Sequence, residues 1–245
     1  MPTASLIEAK PSLFKSSKIS KFISLAIIGP LKMKLVKMLI LSAFFALNLS
    51  ALTEGVEYQT LVKPLNVPKN SVVKVFSYDC PHCYKFDRTI TKKLMSKLED
   101  VKFIPYHLST KGKLGETASK IFAALISIDE ANGTDLLSDE SKFKQAKFAI
   151  YKARHDEKDD FSDGKDKEKF INLALKAAHV SKDDYEKALN SERAKELLDA
   201  WFASYDVASI SGVPAFVVSG KYLINLSAAS SIDEMAKIIQ ELLDK

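Results

Sequence analysis

Residues 72–86 read VVKVFSYDCPHCYKF. An apolar, β-branched run ends in two cysteines, with Pro81 and His82 between them. Val72, Val73, Val75 and Phe76 predict a buried strand over residues 71–78. Pro81 suits the first turn of a helix, where a missing N–H is no loss. Phe86, Ile90, Leu94 and Leu98, four apart, carry that helix to about residue 98. The pair therefore falls at a strand-to-helix turn. There Cys80 meets the unpaired N–H groups and positive dipole end of the helix, which favour a thiolate. His82 can add positive charge or a hydrogen bond to the same sulfur. Cys83, one turn in and deeper, is suited to attack a mixed disulfide formed at Cys80.

Two other readings compete with redox chemistry. A zinc site needs four ligands; this pair supplies two, and His82, His107, His155 and His179 fall at no paired spacing. A structural staple closing so short a loop removes little chain entropy. The whole chain has 2 cysteines, so the pair is either one staple or a tool. Its position favours the tool, with a redox-active disulfide in place of any bound cofactor or metal.

Outward from the motif, residues 101–107 predict a second strand and residues 56–61 an edge strand. His107, at a strand end, reads as a packing or hydrogen-bonding residue. Residues 111–190 hold no convincing strand. Amphipathic helices are expected at 117–128, 140–151, 167–178 and 182–189, with Ser181 as an N-cap. The polar run 155–169 reads as a solvated surface loop. A longer helix over 192–208 carries the stripe Leu197, Leu198, Trp201, Phe202 and Tyr205, expected to be core. Gly212-Val213-Pro214 then leads into a hairpin turning at Ser219-Gly220. That tripeptide is either an ordinary turn or a cis-proline loop packed against the cysteines, with the Val213 backbone open to an extended peptide. Ser231 and Glu234 form a capping box, and Met235, Ile238, Ile239 and Leu242 point inward. Strands on either side of the helical block need one another to make a stable sheet. The expected architecture is an α/β fold with an inserted helical block.

The formal charge is +5 over 245 residues, but it is unevenly spread. Seven of the 36 basic residues and one of the 31 acidic ones lie in residues 1–51, so the rest carries −1. With no basic stripe or regular aromatics in that body, nucleic acid is not an expected partner. Residues 33–37 form a short basic region and 38–47 an apolar stretch, followed by small residues near 51. This is the plan of a secretory signal, too short for a comfortable membrane span.

CPHCYKF together with GVPAFVV resembles the DsbA family of thioredoxin-fold thiol oxidases. The likeness covers about residues 57–245 and includes PYHLS followed by LGETASKIFAAL. It implies a discontinuous thioredoxin-fold domain (52–110 and 190–245), an inserted helical domain (111–189), and an N-terminal extension with signal peptide (1–51). It further implies a periplasmic enzyme, acting as a monomer, that gives its disulfide to reduced, unfolded exported proteins. A DsbB-type membrane partner would re-oxidise it. Carried over by position, Cys80 is the exposed nucleophile and Cys83 the resolving thiol. Pro81 and His82 tune the potential, and Val213 and Pro214 form the substrate-binding cis-proline loop. The sequence departs from the best-known member at Lys74, where that protein has a buried glutamate, and at Asp79, where it has an aromatic. Lys74 is expected to favour a Cys83 thiolate, and Asp79 to oppose one at Cys80 if close. A reductase or isomerase, or a holdase with a structural disulfide, are the alternatives. Isomerases of this kind usually carry an added N-terminal dimerisation domain, and about 20 residues before the first core strand leave no room for one.

Overall fold

Residues 52–245 are described by a computed structural model; the expected signal at 33–51 lies outside them. The strand expected over 71–78 is β2, Ser71–Phe76, with all six residues buried. Its four apolar side chains each contribute roughly 1.5–3 kcal/mol on burial, which suits a strand in the interior of the sheet with a neighbour on either side. β3, Lys102–His107, lies parallel to it, Val72 opposite Phe103 and Phe76 opposite His107. β4, Ala215–Val218, pairs antiparallel on its other side, Val75 opposite Ala215. The hairpin partner β5, Tyr222–Ile224, and the short β1, Tyr58–Thr60, complete a sheet in the order β1-β5-β4-β2-β3. Strands from before and after the helical block thus share one sheet, as the sequence required.

The helix after the cysteines is interrupted. α1, Pro81–Phe86, passes through a π-helical turn, Asp87–Thr91, into α2, Lys92–Met95. The expected stripe through Phe86 and Ile90 is corrected by this turn. Those two are only partly buried, and Cys83, Asp87 and Thr91 face the core instead. A polar stripe is tolerated there because Lys74, itself 1% exposed, reaches Asp87 and Thr91.

Between β3 and β4 the chain is helical. It forms α3 (Gly115–Ala131), α4 (Lys142–Tyr151), α5 (Lys167–Ala178), α6 (Lys182–Leu189), α7 (Glu192–Ala200) and α8 (Ser204–Ser211), and α9 (Ile232–Leu243) closes the fold. Ser181 caps α6 by accepting from the Asp184 N–H at 3.1 Å. Two expectations fail here. The run 155–169 is not simply solvated: Phe161 is buried against Phe170, 4.9 Å between ring centroids. One apolar residue is enough to tie a polar loop down. The stripe on the long helix is also narrower than expected. Trp201 is buried, but Phe202 is 77% and Tyr205 59% exposed. A 3₁₀ turn, Trp201–Ala203, joins α7 to α8, and its three-residue period turns Phe202 and Tyr205 outward while Ser204 and Val207 stay buried.

Candidate active site

β2 delivers the chain to the turn Ser77–Asp79, and Cys80 takes the N-cap of α1 in an extended conformation. Pro81 follows at the first helical position. Cys80 Sγ accepts the Cys83 N–H at 3.3 Å. Both cysteines are free thiols. The Cys83 thiol donates to Cys80, and backbone N–H groups of Cys83 and His82 add to it, with Lys111 nearby. Together they hold the Cys80 thiol well below its ordinary value, at about 6. Cys83 is fully enclosed, and burial pushes its thiol far up. The Cys80 charge and hydrogen bond push the same way, while Lys74 pulls weakly against them. One motif therefore holds a thiolate and a thiol of very different acidity.

The expectation of an exposed Cys80 is corrected. The residue is 3% exposed against 0% for Cys83. Its sulfur lies 3.2 Å from the Val213 carbonyl oxygen, which accepts from the protonated thiol. That contact favours the thiol, but it stands against several donors aimed at the thiolate, and the donors prevail. The Val213–Pro214 peptide is cis. Pro214 is buried and Val213 partly so. Sequence residues 133 apart thus meet at one sulfur. The His82 side chain is exposed, and among the described residues its ring makes no hydrogen bond. What reaches Cys80 from this residue is its backbone N–H.

Asp79 does not burden the thiolate as feared, because Arg154 Nε sits 2.6 Å from its carboxylate. His107 packs as expected. It is fully buried, its Nε2 accepts the Tyr78 N–H at 3.2 Å, and its Nδ1 lies 2.7 Å from Ser119 Oγ. Burial holds it neutral, its pKa pushed down to about 3. Tyr78 in turn accepts from the Leu114 N–H at 2.9 Å, beside Gly112. A Cβ on Gly112 would come within 2.6 Å of the Tyr78 hydroxyl and 2.7 Å of Asp79, so only glycine lets this loop approach. The approach sets Lys111 near Cys80. His155 Nε2 donates to the Tyr78 carbonyl, 2.9 Å away, and the ring stacks on Tyr84 at 5.8 Å. Lys111, Arg154 and His155 were not singled out for the site by sequence. They stand at no motif spacing from the cysteines, and only the packing of the helical block brings them there. Among the described residues no group of three His, Cys, Asp or Glu side chains converges as a metal site would.

The family model of the DSBA-like thioredoxin domain matches residues 71–240. The chain is 49% identical over 214 residues to the thiol:disulfide interchange protein DsbL of Escherichia coli O6:H1, spanning 86% of this chain and 96% of that protein. The DsbL of Klebsiella pneumoniae is equally similar, 49% over 214 residues, with the same coverage of 86% and 96%. The crystal structure of Salmonella enterica serovar Typhimurium DsbL superposes with a TM-score of 0.78 at 49% identity, covering 80% of this chain and 99% of that one.

Proposed function

The chain belongs to the DSBA-like thioredoxin domain family and is a thiol:disulfide oxidoreductase; from that premise we propose that it is a periplasmic oxidase donating a Cys80–Cys83 disulfide to newly exported proteins. The observation that carries the direction of transfer is the split acidity of the pair. Cys80 holds a thiolate at neutral pH. Stabilising the thiolate stabilises the reduced form, and so makes the disulfide the stronger oxidant, about 1.4 kcal/mol for each 30 mV.

The reaction runs in two exchanges. A substrate thiolate attacks Cys80 Sγ, the bond to Cys83 breaks, and its electron pair leaves on Cys83. A second substrate thiolate then attacks the substrate sulfur of the mixed disulfide, and Cys80 leaves as a thiolate. The substrate is oxidised by two electrons and the enzyme reduced by two. With its hydrogen gone, Cys80 no longer occupies the Val213 carbonyl. That acceptor becomes available to the N–H of an extended substrate, in the manner of strand addition. Pro81 and His82 tune the pair through the turn they form. No cofactor beyond the disulfide is needed. A DsbB-type membrane oxidase restores the disulfide, and a signal over residues 33–51 directs export.

The test is turnover of a reduced, unfolded protein in the presence of an oxidant, using the chain from about residue 52. Cys80→Ser should abolish it. Cys83→Ser should trap a mixed disulfide at Cys80 that accumulates on gels under non-reducing conditions. Turnover by the Cys80→Ser protein would end the proposal.

A further inference from the structure

One helical turn beyond Cys83 lies a buried cluster with more positive than negative charge. Lys74 Nζ is 2.5 Å from Asp87 Oδ1, and Lys147 Nζ is 3.1 Å from Asp87 Oδ2. The Tyr151 hydroxyl donates to Asp87 Oδ2 at 3.2 Å, and Lys74 also donates to Thr91 Oγ1 at 3.0 Å. Lys74 is 1%, Lys147 2% and Asp87 9% exposed. Two ammonium groups thus share one carboxylate out of reach of water. Lys74 comes from β2 and Asp87 from the active-site helix, whereas Lys147 is contributed by α4 of the helical block. Its ammonium is held over the rings of Phe143, Phe76 and Phe148, at 4.7, 5.3 and 5.8 Å from their centroids.

A surplus buried cation is costly unless negative charge comes to meet it. Asp87 cannot serve both lysines fully. The other buried aspartate, Asp129, is engaged by the N-terminus of α4, accepting from Ser141 Oγ and from the Lys142 and Phe143 N–H groups. The missing charge is transient. Asp87 stands one helical turn beyond Cys83 on the same buried face. Opening the disulfide at Cys80 releases an electron pair onto Cys83, in the least hydrated place in the site. We propose that Lys147 is a positioning residue for this step: it gives the cluster the surplus charge that stabilises the departing Cys83 thiolate. This rests on the oxidase reading above and extends it. Lys74 lowers the Cys83 thiol, and Tyr151, which bonds Asp87, senses the charge of both cysteines. Burial lowers Lys147 to about 8, which leaves it mainly charged at neutral pH.

The experiment measures pre-steady-state opening of the oxidised protein's disulfide by reduced glutathione, at pH 7, in Lys147→Met and Asp87→Asn. Removing the surplus cation should slow opening about tenfold, because a leaving thiol of higher pKa departs more slowly. Removing the carboxylate should speed it, although both changes lower the urea midpoint. Loss of packing alone moves both rates one way, so opposite signs are the signature. Lys147→Arg should recover most of the rate. If Lys147→Met does not accumulate folded, Lys147→Gln takes its place in the same assay. Slowing in both variants, or less than a twofold change in either, would overturn the inference. The oxidase reading would survive that result, since it is decided by wild-type turnover and by Cys80→Ser.

Discussion

Cys80 and His107 are the residues whose acidity the fold moves in ways that can be measured directly. Alkylation of the reduced protein by iodoacetamide should occur at Cys80, with a rate midpoint near pH 6. A midpoint near the ordinary thiol value of about 8.5 would mean that the donors around the sulfur do not act as described. The linkage to folding has a definite sign. The folded dithiol form binds its Cys80 proton less tightly than the unfolded chain. Its stabilising contribution is therefore fully present above the unfolded value and lost as pH falls through about 6. His107 acts in a second window. It is held neutral in the fold, its pKa lowered from 6.5 to about 3. The unfolded chain gains a proton that the folded one refuses, so stability is complete above about 6.5 and drains away toward 3. Urea midpoints recorded from pH 7 to 4 should fall, and His107→Asn should flatten the slope. Both cysteines and Pro214 were legible as site residues because type and spacing mark them. The 3% exposure of Cys80 was not, because it depends on a carbonyl 133 residues away.

Among the elements, the active-site helix and α4 illustrate what periodicity can and cannot predict. The start of α1 followed from Pro81 and the cysteine turn, since an N-terminus has local chemical signals. The π turn at Asp87–Thr91 did not, because nothing in DRTIT signals it apart from the core partner that Asp87 finds in Lys74. Similarly, the start of α4 looks unremarkable in sequence, yet it rests on a buried carboxylate. Asp129, 1% exposed, takes the Ser141 hydroxyl at 2.7 Å and the Lys142 and Phe143 N–H groups at 2.9 and 3.0 Å. Asp129→Ala should destabilise the protein by about 3 kcal/mol, since it leaves several buried donors without a partner. Ser141→Ala, which removes the cap that accepts from Lys144 N–H, should cost about 1 kcal/mol. Chemical denaturation of the two variants checks this. Equal losses would mean that Asp129 is not the main anchor of α4.

At the scale of the whole molecule, the sheet and the helical block combine to make one redox centre. The dithiol form should be the more stable of the two redox states, because a thiolate stabilised at Cys80 exists only there. Its urea midpoint should exceed that of the disulfide form. Equilibration in glutathione buffers should place the potential near the oxidising end, roughly −120 mV, and not near a reductant's value of about −270 mV. A more stable disulfide form would contradict both expectations. The sequence by itself determined the class of this protein. The β-branched run of β2, the cysteine spacing, Pro81 and the Val213-Pro214 step are local features, and local chemistry dictates a buried strand, a helix start and a reactive thiol pair. Tertiary structure alone decided the environment of that pair. Lys111 reaches it past Gly112, Arg154 neutralises Asp79, and Lys147 meets Asp87 in the core. None of these partners is near the cysteines in the chain. Electrostatic energies depend on distance and on exclusion of water, and both quantities exist only once the helical block has packed onto the sheet.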